Sequence, residues 1–199
     1  MIQTVIFDLG GVLIEDPSIG MVSHFAHYFQ VDREALLEAL KKYWSVWQQG
    51  ELSEHAFWQE VTADLHIHNP PYISLWFDGF QHECREQPEV FLLLKHLKAR
   101  GYTTALLSNT ETPVTDYFRQ RLQTDIDHFF YSCEMGMRKP ERAIYEKVMQ
   151  ELKCPPETVV FIDDRKANVE AAVHLGMQGI VFHSSDDLKK QLHLRQINL

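Results

Sequence analysis

Cysteine is scarce in this 199-residue chain: Cys84, Cys133 and Cys154 are odd in number, far apart and without C-x-x-C spacing. That argues against a disulfide framework and a cysteine zinc site, and makes the reducing cytoplasm the expected compartment. Basic charge is also in short supply, with 19 Lys and Arg against 28 Asp and Glu, a formal net charge of −9 and no stretch of five or more like charges. A nucleic-acid partner is therefore not expected, since holding a phosphate backbone needs a basic patch. No apolar run reaches the ~18 residues of a membrane span. Met1 runs almost directly into an apolar strand, with no charged-then-apolar leader. A soluble, unexported protein is the expectation, with neither nucleic acid nor membrane as partner. Internal repeats and low-complexity tracts are absent as well.

What is present is organised around Ile6-Phe7-Asp8-Leu9-Gly10-Gly11-Val12-Leu13. Val5-Ile6-Phe7 has the length and the β-branched or aromatic character of a fully buried strand, and it stops at a carboxylate followed by two glycines. Ile14 to Ser18 reads as a turn, and from there to about Gln87 no convincing strand appears. Apolar residues recur at helical spacing from Met21 to Phe29 behind a cap at Ser18, and from Ala35 to Trp47 behind Asp32. A third helix follows Ser53, and a fourth follows Asn69-Pro70-Pro71 and carries Ile73, Leu75, Trp76 and Phe80. Residues 16–87 thus read as a helical insertion, and residues 1–15 with 88–199 as one α/β unit. All four tryptophans, Trp44, Trp47, Trp58 and Trp76, fall in the insertion, either filling its core or shaping a pocket.

From Glu89 onward helices alternate with apolar strands at Thr103–Leu107, Phe129–Tyr131, Val159–Ile162 and Ile180–Phe182, with Pro140 expected to open one of the helices. That alternation predicts a doubly wound, mostly parallel sheet. In such a sheet the carboxyl ends of the strands share one edge, so groups about 155 positions apart converge on one crevice. Those ends carry Asp8, Ser108-Asn109, Asp163-Asp164 and, just past the third strand, Lys139. A carboxylate nucleophile, further carboxylates for a hard cation, a hydroxyl with amide donors and a lysine form a set suited to phosphoryl transfer. Mg2+ suits the acids, since it takes oxygen ligands and keeps several waters. The histidines offer no rival metal site, because His24 with His27, and His66 with His68, lack i,i+4 spacing with a partnering acid; they read as surface or insertion residues.

Phe7-Asp8-Leu9-Gly10-Gly11-Val12-Leu13, Leu107-Ser108-Asn109-Thr110, Arg138-Lys139-Pro140 and Phe161-Ile162-Asp163-Asp164 resemble the four successive motifs of the haloacid dehalogenase-like hydrolases. The helical insertion is similar to that family's α-helical cap. Within the family the chain looks most like the phosphatase branch that holds bacterial α-glucose-1-phosphate phosphatases and the phosphatase domain of soluble epoxide hydrolase. The resemblance implies a Rossmann-like core and a Mg2+-dependent phosphatase for a small phosphorylated metabolite. It implies Asp8 as nucleophile and Lys139 as its partner, with Ser108 and Asn109 on the phosphate. The metal ligands implied are Asp8, the carbonyl of Gly10, Asp164 and, directly or from behind, Asp163.

One position departs from the pattern: where these phosphatases usually carry a second Asp as general acid and base, this chain has Gly10. The carbonyl survives and the acid does not, a loss of typically ~10²–10⁴-fold unless Glu15, Asp16 or a water substitutes. Anomeric sugar phosphates and aryl phosphates, which leave readily, are the substrates expected to suffer least. Two other readings are a catalytically weak ligand-binding or regulatory protein and a 2-haloacid dehalogenase using the same Asp8. The retained Asp8, Lys139 and paired acids disfavour the first, and the Asp163-Asp164 pair disfavours the second. The sequence leaves the oligomeric state open.

Overall fold

The computed structural model describes residues 1–68 and 74–197. Strand β1 (Thr4–Phe7) is followed by helices α1 (Ser18–Phe29), α2 (Arg33–Gln48), α3 (Glu54–Asp64), α4 (Leu75–Glu83) and α5 (Pro88–Ala99). Then come β2 (Thr103–Ser108), α6 (Thr112–Leu122), β3 (His128–Tyr131), the short α7 (Ser132–Met135) and α8 (Arg142–Leu152). A 3-10 turn (Pro156–Thr158), β4 (Val159–Asp163), α9 (Lys166–His174), β5 (Gln178–Val181) and α10 (Ser185–Leu194) complete the chain. No helix among the described residues is long and apolar enough to cross a membrane.

The sheet is parallel throughout, in the order β3-β2-β1-β4-β5, so the chain builds outward from β1 on one side and then crosses to the other. The winding direction reverses between β1 and β4, the topological switch point where open α/β sheets hold ligands. Registry pairs Phe7 with Ile162 and with Leu106, which sets Asp8 and Asp163 side by side one residue further on. The two faces of the sheet divide the side chains by the period of two. Val5, Phe7, Leu106 and Ile162 join one apolar cluster; Ile6, Ala105, Leu107 and Phe161 join the other.

The first cluster does not end at the sheet. It continues into the helical insertion through Phe25, Trp47, Phe57, Trp58, Trp76 and Phe80, so insertion and sheet share one continuous core. Aromatic rings hold that part together, with Trp47 stacked on Phe57 at 4.2 Å between centroids and edge-on to Trp76 at 4.8 Å. Trp58 is 1% exposed and packs against Phe25, Phe57 and Phe29. Trp58→Ala is expected to lower unfolding stability by about 3–5 kcal/mol, read from the urea midpoint at constant slope.

Caps at Asp32 and Ser53 form as expected, accepting from the N–H groups of Glu34 and Ala35 and of Ala56 respectively. Two helix starts differ from expectation. Ser18 opens α1 rather than capping it, and the acceptor for its N–H is Asp16 at 2.9 Å, whose carboxylate reaches the first turn from outside the helix. Pro140 lies before α8, since residues 138–141 form a turn closed by Glu141 N–H to Arg138 O at 2.9 Å, with a cis Lys139–Pro140 bond, and the helix starts at Arg142. Asn69-Pro70-Pro71 and Ile73 lie outside the described residues. Ser74 caps the following helix by accepting from Phe77 N–H.

Candidate active site

Asp8 leaves β1 with its N–H donating to Ile162 O at 2.9 Å, so the strand ladder fixes its backbone. The carboxyl is nearly buried, and Oδ1 accepts from Leu9 N–H at 2.7 Å while meeting Lys139 Nζ at 2.8 Å. Lys139, 2% exposed, pairs with Asp8 Oδ1 and donates to Asp163 Oδ2 at 2.7 Å and to Leu107 O at 2.8 Å. Burial by itself would lower the lysine's pKa; Asp8 and Asp163 together overcome it and hold the group above its ordinary value. Burial pushes the Asp8 carboxyl up to about 7, opposed by Lys139 and reinforced by Asp163.

Asp163 is buried at the end of β4 with both oxygens engaged. Oδ1 accepts from Arg165 N–H at 2.8 Å and Asn168 Nδ2 at 2.9 Å, and Oδ2 accepts from Lys139 and from Asn168 Nδ2 at 3.0 Å. Its geometry is that of a support that aims Lys139. Asp164 is different: its Oδ1 is buried without any protein partner. Burial, then Asp163, raises its pKa.

One carboxylate oxygen from each of Asp8, Asp163 and Asp164 lies within 4.8 Å of the others. Three acids against one lysine, with an orphaned buried oxygen among them, fit a hard divalent cation, which would supply the missing positive charge. Gly11 makes the approach of Asp164 feasible. It sits at φ +82, and a Cβ there would lie 2.5 Å from Asp164 Cγ. Gly11→Ala is accordingly expected to displace Asp164 and to weaken Mg2+ affinity by about 10–100-fold, measured as the Mg2+ concentration for half-maximal activity.

A cavity of about 380 Å³ opens over these groups, with Asp8, Gly10, Ser108, Asn109 and Lys139 on the sheet side. The insertion closes it with Met21 of α1, Lys41, Trp44 and Gln48 of α2, and Trp76 and Phe80 of α4. Of the four tryptophans, then, Trp44 and Trp76 reach the cavity, while Trp47 and Trp58 serve the core. Asp16 also lines it, as a solvent-exposed acid 3.8 Å from Arg165, whereas Glu15 does not. A Cβ built on Gly10 meets nothing within 4 Å, so the space that an acid would fill is open.

The structure brings Asp8, Gly10, Ser108, Asn109 and Lys139 to one cavity and sets Asp163 and Asp164 near Asp8, while Glu15 stays outside it. Asn109 spends its side chain on the main chain of Lys139, donating Nδ2 to Lys139 O and accepting Lys139 N–H on Oδ1, both at 2.8 Å. These two bonds clasp the Lys139 loop to the turn at Asn109, which also lines the cavity. Sequence reasoning missed Asn168, which orients Asp163 from the first turn of α9. It also missed Glu111 and Gln48 in the cavity wall. Their only signal was position: Glu111 three residues after Ser108, Asn168 five after Asp163.

The family model for haloacid dehalogenase-like hydrolases matches residues 2–176. A sesquiterpene phosphatase, astK, of Aspergillus oryzae is 26% identical over 202 residues, covering 98% of this chain and 96% of the relative. The drimenol cyclase drtB of Aspergillus calidoustus is 28% identical over 200 residues, covering 96% of this chain, which spans only 36% of that longer protein. Among solved structures, a HAD-like family hydrolase from Porphyromonas gingivalis superimposes with TM-score 0.79 at 25% identity over the full length of both chains. The chain belongs to the haloacid dehalogenase-like hydrolases.

Proposed function

We propose that this haloacid dehalogenase-like hydrolase is a Mg2+-dependent phosphomonoesterase acting on a small sugar phosphate, such as glucose 1-phosphate, through an aspartyl-phosphate on Asp8. The observation that carries the reading is Lys139 Nζ held between Asp8 and Asp163, with the orphaned oxygen of Asp164 nearby, where Asp8 and Lys139 line a cavity. The relative astK, named as a phosphatase and matched over nearly its whole length, supports the same chemistry.

Asp8 Oδ1 is engaged by Leu9 N–H and Lys139, so attack on phosphorus is assigned to Oδ2. The bond from phosphorus to the leaving oxygen breaks as the bond to Oδ2 forms, and a water then releases inorganic phosphate and regenerates Asp8. The Ser108 hydroxyl donates to a phosphoryl oxygen, and the charge of Lys139, fixed beside Asp8, offsets the charge of the phosphoryl group. Mg2+, held by Asp8, the Gly10 carbonyl and Asp164, would neutralise the phosphoryl charge when bound. Asp163 acts from behind by aiming Lys139.

Gly10 offers the departing oxygen no proton, so easily leaving groups are favoured. Gly10→Asp is expected to raise kcat with a poor leaving group such as glycerol phosphate by about tenfold or more, and to change phenyl phosphate far less. The open space at the glycine lets the side chain in.

A second reading concerns the leaving group only. Ile14, Met21, Phe80 and Val114 give the cavity an apolar side, which suits an apolar alcohol such as a prenyl phosphate. Phosphate release from sugar, aryl, prenyl and alkyl phosphates separates the two. Chloride release from a short 2-haloacid without phosphate release would point instead to dehalogenation, and neither product from folded protein to a binding or regulatory role.

A further inference from the structure

Glu111 is 5% exposed, lines the cavity and has no part in the reaction above. It lies between the Ser108-Asn109-Thr110 turn and α6, where the sequence reads as an ordinary helix start. Its Oε1 accepts from the Trp44 indole N–H and from Gln48 Nε2 at 2.8 Å. Gln48 is held in that orientation by Arg138, whose Nη2 donates to Gln48 Oε1 at 3.0 Å. Arg138 also lines the cavity, and its Nε is buried with no acceptor.

The same wall therefore carries a buried carboxylate and an unmet buried donor, joined through one amide. A latch between insertion and sheet would explain the Trp44, Gln48 and Glu111 bonds, but Glu111, Gln48 and Arg138 also line the cavity and present their polar groups to whatever alcohol occupies it. Burial raises the pKa of Glu111 in spite of its donors. A hydroxyl group suits such a wall, since it can accept from the Arg138 guanidinium or the Gln48 amide and donate to Glu111. Neighbouring hydroxyls on a ring do so at several points, while the Trp44 and Trp76 rings, 5.2 Å apart and nearly perpendicular, flank the space. An apolar alcohol would cover these polar groups without bonding to them. Sites built on buried polar groups reject ligands that lack the matching hydroxyl.

We propose that Glu111, Gln48 and Arg138 form a hydroxyl-reading subsite that selects a polyhydroxylated leaving group. The assignment rests on the phosphomonoesterase reading and names the side of the cavity that recognises the alcohol. In the test, kcat and KM are measured for glucose 1-phosphate and phenyl phosphate with wild type and Glu111→Gln. Binding of both esters is measured by calorimetry on the Asp8→Asn background, where turnover does not intervene.

Glu111→Gln is expected to lower kcat/KM at least tenfold more for the sugar phosphate than for the aryl phosphate, chiefly through KM, with a matching loss of affinity on the Asp8→Asn background. Arg138→Lys, which keeps the charge and lacks Nε, is expected to shift selectivity the same way and covers the case in which Glu111→Gln does not fold. Equal losses for both esters would mean that the array is only a latch, and overturn the proposal. So would a wild-type enzyme that hydrolyses aryl or prenyl phosphates but no polyol phosphate, which would leave the phosphatase reading intact. Absence of phosphate release from every ester by folded wild type would overturn both.

Discussion

Asp8→Asn is expected to release phosphate at least ~10³-fold more slowly than wild type, equivalent to a barrier higher by about 4 kcal/mol or more. An amide is a poor nucleophile, so the covalent step has no substitute within the site. The fold should survive. The replacement is isosteric, the Asp8 backbone stays in the strand ladder, and Lys139 keeps Asp163 and Leu107 O as partners. A circular dichroism spectrum and thermal midpoint like those of wild type, together with lost activity, are the expected pair. Retention of a tenth or more of the wild-type rate would remove Asp8 from the role of nucleophile.

Lys139→Met is expected to abolish activity and, unlike Asp8→Asn, to destabilise the protein by about 3–5 kcal/mol. The lysine is the cation between two buried carboxylates. Removing it leaves Asp8 and Asp163 facing each other with no ammonium between them, in a nearly buried site. Protonation of Asp8, already pushed up to about 7, absorbs part of the loss, so the figure is an upper range at neutral pH. Urea unfolding of the two variants side by side measures the contrast. A Lys139→Met protein as stable as Asp8→Asn would mean that the pair of acids does not depend on the lysine.

The sheet and the position of its acids were legible because they follow from local pattern. An apolar strand that stops at Asp8, and another that stops at Asp163, must deliver both to the same edge once the strands are parallel. Lys139 was legible for the same reason, lying just beyond the end of β3. Roles that depend on the path of a loop were not. Asn109 reads as a phosphate ligand in sequence, and nothing there shows that its side chain also holds the backbone of Lys139, thirty residues on. Gln48 sits near the end of an amphipathic helix, where a polar residue reads as solvated. Only the way α2 packs over the sheet edge turns it into the cavity. Glu111 was hidden by its neighbours, since an acid next to a helix start has an ordinary explanation in the helix dipole. Gly11 could be placed in a turn from sequence, but its need to stay bare comes from a carboxylate 153 positions away.

Metal-assisted phosphoryl transfer at Asp8, Lys139 and Asp164 underlies every activity expected above. It is tested most directly by phosphate release from phenyl phosphate and glucose 1-phosphate with excess Mg2+, after chelation by EDTA, and after Mg2+ is restored. Release with Mg2+, loss on chelation and recovery on restoration are expected. Release that continues undiminished after chelation would contradict it.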